Sequence, residues 1–119
     1  MKIISRNLKH GEIKILIENS DDLWFLTQLI NQGDIVSGKT MRKIKMGGEE
    51  GDFVKKTFFA SLKVEKFDFQ PDVVRISGVI VSAPEDVPKG SHQSINIEKG
   101  NVLTIAKKEW GSYQLKMLD

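Results

Sequence analysis

Apolar and polar residues alternate along most of this chain, and a period of two marks strands with one buried face. Ile13, Ile15 and Ile17 alternate with Lys14 and Glu18 after a His10-Gly11 turn, which predicts a half-buried strand. Phe58, Ala60, Leu62 and Val64 alternate with Thr57, Ser61, Lys63 and Glu65 in a longer one. Phe67 and Phe69 fall out of phase with that set, which predicts a bulge or sharp bend near Lys66. Gln70-Pro71-Asp72 predicts a turn, and Val74, Ile76 and Ile80 carry a return strand through Gly78. Ile95 and Ile97 form another short strand, and Lys99-Gly100-Asn101 is a tight turn into a last one over residues 102–106. Residues 107–119 are ambiguous: Tyr113, Leu115 and Met117 alternate, whereas Trp110 and Leu118 fit a short helix.

One segment has a helical period instead. Leu23, Leu26 and Ile30, flanked by Phe25 and Leu29, predict an α-helix near residues 21–32. Ser20 suits its N-cap, Asp21 and Asp22 suit its positive end, and Gly33 suits the C′ position. Many short strands, frequent turns and one helix predict a mainly β fold, a small barrel or strongly bent sheet. Two polar stretches, Lys45 to Lys56 and Ala83 to Gln93, are predicted as long loops, which are more often functional than decorative.

Composition narrows the classes. The 119 residues make one domain with a core of its own, and cysteine is absent, so neither disulfides nor thiolate metal sites are available. The opening Met1-Lys2-Ile3-Ile4-Ser5-Arg6 is charged by its sixth residue and has no long apolar run. Neither a signal peptide nor a membrane span is expected, and a cytoplasmic location is. The net charge is only +2, so any affinity for nucleic acid must come from local clustering of cations.

Such a cluster lies in residues 33–45, and the same stretch matches a different motif. Gly33 to Thr40 spells the phosphate-loop pattern G-x-x-x-x-G-K-[ST]. That loop needs a strand before it and a helix starting at its Lys-Thr. Here the best helix precedes Gly33, and only Met41 to Met46 separate Thr40 from Gly47-Gly48. A nucleotide hydrolase is therefore not the expected function. The last seven residues carry Lys39, Arg42, Lys43 and Lys45 without an acid, which suits a polynucleotide backbone. Lys55 and Lys56 join them near one rim if the flanking strands pair. On an extended strand residues 39, 43 and 45 share a face and 42 points oppositely, so Arg42 is either a phosphate contact or a structural partner of an acid such as Asp34. His92 either bonds RNA or stabilises its turn.

An ordered series of residues also resembles one family. It runs from Met1-Lys2 through Asp22-Leu23-Trp24, Gly33-Asp34, Thr40-x-Arg42-Lys43 and the strand from Phe58 to Phe69. It continues through Gly90-x-His92-x-x-Ile95-x-Ile97-Glu98 to Leu103-Thr104-Ile105-Ala106-Lys107-Lys108-x-Trp110. In these residues the chain resembles the amino-terminal domain of the Pelota family of ribosome-rescue factors. Gly38-Lys39 is not part of that family's pattern, so the phosphate-loop match rests on residues the family does not require. The resemblance implies an Sm-like β-barrel and a role in recognising stalled ribosomes, through rRNA and mRNA phosphates near the decoding site. It implies a central and a carboxy-terminal domain beyond Asp119, which would carry the contacts with a translational GTPase and a ribosome-splitting ATPase. A monomer is expected.

The family resemblance implies a second possibility, a divalent-metal-dependent endoribonuclease acting on stalled mRNA. That chemistry wants carboxylates converging on magnesium or manganese. Asp21-Asp22 and Glu49, Glu50 and Asp52 are the available clusters, though helix-dipole and solubility roles account for them as well. A third possibility is a structural module that contacts protein.

Overall fold

In the computed structural model the chain is described over residues 1–46 and 52–118, with backbone alone at 44–46 and 52–53. Seven strands and two helices follow in the order β1 (Lys2–Asn7), β2 (Glu12–Leu16), α1 (Ser20–Leu29), β3 (Ile35–Met46), β4 (Asp52–Gln70), β5 (Val73–Ser82), β6 (His92–Ile97), β7 (Val102–Ala106) and α2 (Ser112–Leu118). The strands form one antiparallel sheet in the order β1-β2-β7-β3-β4-β5-β6. The predicted barrel is not closed: among the described residues no ladder joins the two ends of the sheet. The far end does curl back, and β6 reaches β3 through side-chain hydrogen bonds rather than backbone pairing.

The alternation in sequence is the alternation in burial. Ile13, Ile15 and Ile17 are fully buried, as are Leu62, Val74, Ile76, Ile95 and Ile105, and α1 covers them with Leu23, Leu26 and Leu29. Each such side chain contributes about 1.5–3 kcal/mol by leaving water, so this shared face holds the sheet bent around the helix. The bend near Lys66 is present: Val64 faces Gly78, Lys66 faces Ser77, and Glu65 is the extra residue. Gly78 is required there because a Cβ would stand 2.0 Å from the Lys63 carbonyl oxygen.

Several boundaries differ from the sequence reading. The helix starts on Asn19, not Ser20: the Asn19 side chain accepts from the Asp22 N–H (3.1 Å) and Asp22 accepts from the Asn19 N–H (3.2 Å). This reciprocal capping box outcompetes a single serine cap. The helix ends at Leu29 rather than near 32, because Asp34 accepts from the Asn31 N–H (2.8 Å) and turns the chain. Gly33 therefore lies past the helix in a left-handed conformation (φ 93°), donating to the Val64 carbonyl (2.8 Å). The Lys45–Lys56 loop is shorter than predicted, since β3 runs to Met46 and β4 begins at Asp52. β1 has no counterpart in the sequence reading, and α2 settles residues 107–119 on the helical alternative. β1 carries mostly exposed residues and lacks a clear alternation, and α2 buries none of its residues fully.

Candidate nucleic-acid interface

β3 pairs with β7 only at Ile35–Ser37, and β4 pairs with β5 only from Ser61 onward. From Gly38↔Ala60 to Met46↔Asp52 the two strands therefore have only each other as ladder partners. This two-stranded arm projects from the sheet, and such ribbons are marginal in water without support. Support comes from the β6 side. The Thr40 hydroxyl donates to the Ser94 carbonyl (2.6 Å), and the Gln93 amide donates to the Thr40 hydroxyl (2.9 Å) and the Met41 carbonyl (3.1 Å). Arg42 donates from Nε to Gln93 Oε1 (2.9 Å) and from its terminal nitrogen to the His92 carbonyl (2.8 Å) and the Ser91 hydroxyl (3.2 Å). Lys56 pairs with Asp86, and that hydrogen bond holds the Asp86 carboxyl below its usual range. The segment carrying Asp86 is itself anchored, because Val87 is buried in the core.

Cross-strand register sorts the predicted cations onto two faces. Arg42 stands opposite Lys56, and Lys43 opposite Lys55, while Lys39 stands opposite Phe59. Opposed residues share a face, and the two faces alternate along the strand. Arg42 and Lys56 thus lie on the supported face with their charges engaged. Lys39, Lys43 and Lys55 lie on the other face, exposed and without an intramolecular ion pair among the described residues. Between them stand Met41 (56% exposed) and Phe59 (59% exposed). The arm is therefore a cationic surface with apolar side chains set into it.

The Arg42–Asp34 pair considered from sequence does not form. The two lie eight residues apart on an extended segment, about 26 Å at strand rise, and Asp34 is held by Lys107 at the opposite end. Lys107 is buried, donates also to Asn31 Oδ1 (2.9 Å), and sits 5.3 Å from the centre of the Trp110 ring. His92 is an exposed partner of Glu65 (3.3 Å) as well as a carbonyl acceptor for Arg42. Lys45 lies in β3 paired with Phe53 at the backbone level, and its side chain lies outside the described residues. Glu49 and Glu50 also lie outside them, as does the side chain of Asp52. Among the described residues no three acids or histidines converge on a point that would hold a metal ion.

Asp21 and Asp22 have separate explanations. Asp21 is exposed in the first turn of α1. Asp22 is buried and accepts from the Met1 amino group (2.7 Å) and the Glu18 N–H (2.8 Å). Burial by itself would raise the Asp22 pKa, but the bonds to the amino terminus and to two backbone N–H groups outweigh it and lower the value. The phosphate-loop letters have no phosphate-loop shape, since Lys39 and Thr40 lie inside β3 rather than at a helix start.

A groove of about 1050 Å³ opens on the outer surface where β6 meets β3. Lys39 and Met41 line it from the arm, and His92, Ser94 and Asn96 line it from β6. Phe59, Gln93 and Asp86 were not singled out in the sequence. Phe59 carried a signal, because its parity sets it among Thr57 and Ser61 on the polar side of a strand whose other side is core. Gln93 and Asp86 carried none, since their roles depend on which strand the sheet brings back to β3.

Comparison with known proteins adds an independent line. Residues 1–119 match the family described as the Pelota N-terminal domain. The chain is 37% identical over 128 residues to the pelota homolog of Methanobrevibacter smithii, covering 100% of this chain and 36% of that protein. It is similar to a model of ribosome-bound archaeal Pelota and ABCE1, with a TM-score of 0.78 and 35% identity, over 100% of this chain and 35% of the other. It is also similar to Saccharomyces cerevisiae Dom34, described as a translation termination-like factor that interacts with Hbs1. There the TM-score is 0.73 and the identity 26%, over 99% of this chain and 32% of the other. The chain spans roughly a third of the length of the relatives it matches.

Proposed function

The chain belongs to the Pelota N-terminal domain family, and from that premise we propose that it is the RNA-gripping part of a ribosome-rescue factor. Its β3–β4 arm holds rRNA or mRNA phosphates near the decoding site of a stalled ribosome. The supporting observation is the division of charge on the arm: Lys39, Lys43 and Lys55 share one exposed face while Arg42 and Lys56 are tied into the fold on the other. Lysine on a flexible stem neutralises phosphate as a point charge and reads no base, which suits a factor that acts on any message. Phe59 and Met41 between the lysines offer apolar surface against which an unpaired base stacks.

The remaining parts of the reading follow the family. The similar archaeal protein was described on the ribosome with ABCE1, and the similar yeast protein interacts with Hbs1. A translational GTPase and a ribosome-splitting ATPase would act in the cytoplasm through parts of the protein outside these 119 residues. The test is RNA binding as a function of salt. Binding should be independent of sequence and steeply salt-dependent, and the Lys39→Ala/Lys43→Ala/Lys55→Ala variant should lower the salt slope by about three. An unchanged slope would remove the arm from the interface.

A further inference from the structure

The groove beside the arm contains two polar side chains that the fold does not use. Arg75 on β5 and Asn96 on β6 stand directly opposite each other in the strand register. Both are exposed, both line the groove, and neither has an intramolecular hydrogen-bond partner among the described residues. Two residues along the same two strands, on the same face, Ser77 and Ser94 stand opposite each other with hydroxyl oxygens 2.9 Å apart. That hydrogen bond orients both hydroxyls and leaves each with acceptor capacity toward the groove. The turn before β7, from Gly100 to Val102, forms one wall, and Lys39 and Met41 of the arm form another. The groove is therefore continuous with the lysine face, sharing Lys39.

From this we infer that the groove is a second RNA subsite, which takes a nucleotide from a single strand, with Arg75 on its phosphate and Asn96 on its base edge. The inference rests on the reading of the arm as an RNA-binding surface. Charge agrees with an anionic ligand: Lys39, Lys66 and Arg75 line the groove against Glu65 and Glu98, and Glu65 is met by His92 at 3.3 Å. The planar guanidinium offers a phosphate two parallel donors. An amide presents a donor and an acceptor side by side, and every base has such a pair on its Watson–Crick edge, so by turning over the amide fits any of the four without reading sequence. In an RNA duplex that edge is already paired and the deep, narrow major groove hides the other, so the amide reaches only an unpaired base. A simple carboxylate ligand would satisfy Arg75 and leave the amide without a partner. The groove volume lies just above the usual range for small-ligand sites, which leaves room for a nucleotide.

The test is a titration of the isotope-labelled 119-residue protein with RNA, followed by ¹H–¹⁵N spectra. One probe is a single strand about ten nucleotides long, within the usual site size for such surfaces, and the other is the matching duplex. With the single strand, the Asn96 side-chain amide and Arg75 Nε–H signals should move together with the backbone amides of Lys39 and Lys43. The Arg75→Ala/Asn96→Ala variant should bind the single strand about tenfold more weakly, the scale expected for loss of one phosphate and one base contact, and bind the duplex unchanged. Arg75→Lys should recover part of that loss by retaining the charge. If the arm amides move while the Asn96 side chain stays still, the groove assignment is overturned and the arm reading stands. If neither moves, both readings fall. Equal movement of Asn96 with the duplex would overturn the single-strand assignment.

Discussion

Arg42 and Gln93 meet where β6 curls back onto β3, Nε to Oε1 at 2.9 Å. Backbone pairing between β3 and β6 is absent, so side chains carry the join. With the His92 carbonyl and the Ser91 hydroxyl, Gln93 gives the guanidinium three acceptors from the β6 end. Hydrogen bonds to a charged group are the stronger class, at about 1.5–3 kcal/mol each before solvent exposure reduces them.

Replacing Arg42 should therefore loosen the arm before it weakens RNA binding. Arg42→Ala should lower global stability by about 1–2 kcal/mol and speed amide exchange at residues 38–43 and 55–60. RNA affinity should change less than in Lys43→Ala. Denaturant unfolding, hydrogen exchange and anisotropy on the same variants distinguish the two roles. A loss of affinity with undisturbed exchange would mean that Arg42 grips phosphate after all.

At the other end of β3, Lys107 is buried against the half-buried Asp34, and Asn31 and Trp110 surround the ammonium. Removing one charge leaves the other unpaired, so Lys107→Met should cost about 3–5 kcal/mol. The double variant Lys107→Met/Asp34→Leu should recover much of that loss, because the desolvation penalty vanishes with both charges. Urea midpoints of the two single variants and the double would show it. A double variant as unstable as the sum of the singles would contradict this account.

Stability should depend on pH in two windows through one contact, Met1 with Asp22. The folded Asp22 pKa lies below the usual 3.8. Its contribution is complete above 3.8 and is lost as pH falls through the lowered folded value. For the amino terminus, burial lowers the pKa, but hydrogen bonds and charge from Asp22 and Glu18 prevail and raise it above 8.0. That contribution is complete below 8.0 and disappears as pH rises through the raised value. Asp22→Asn should flatten both arms of the stability profile, as thermal melts from pH 2 to pH 10 would reveal.

Gly78 tests the bend in β4. An added Cβ would meet the Lys63 carbonyl oxygen at 2.0 Å and its carbon at 2.8 Å, both backbone atoms held by the bulge. Gly78→Ala should destabilise by about 1–3 kcal/mol, the usual range for overpacking. Gly33→Ala offers a contrast, since nothing lies within 4 Å of its Cβ position and only the positive φ resists the change. Gly78 has no positive φ, so an unchanged stability in Gly78→Ala would show that the bulge yields to the added methyl and that the clash does not fix the bend.

Local chemistry determined a good deal of this protein. The isoleucine and phenylalanine alternations specified β2 and β4, the phase slip at Phe67 marked the bulge, and the spacing of Leu23, Leu26 and Ile30 marked α1. These features depend on neighbours a few residues away, and a period of two or 3.6 records them directly. The ordered series from Met1-Lys2 to Trp110 also carried the family. Tertiary structure alone decided which cations are available. Arg42 and Lys43 are adjacent in sequence, yet one is bound to Gln93 and the other is exposed. That difference depends on β6 returning to β3 from fifty residues away, as does the groove that brings Arg75 and Asn96 beside Lys39. No periodicity encodes which strand closes against which, because the burial of the whole apolar face sets the curl of the sheet.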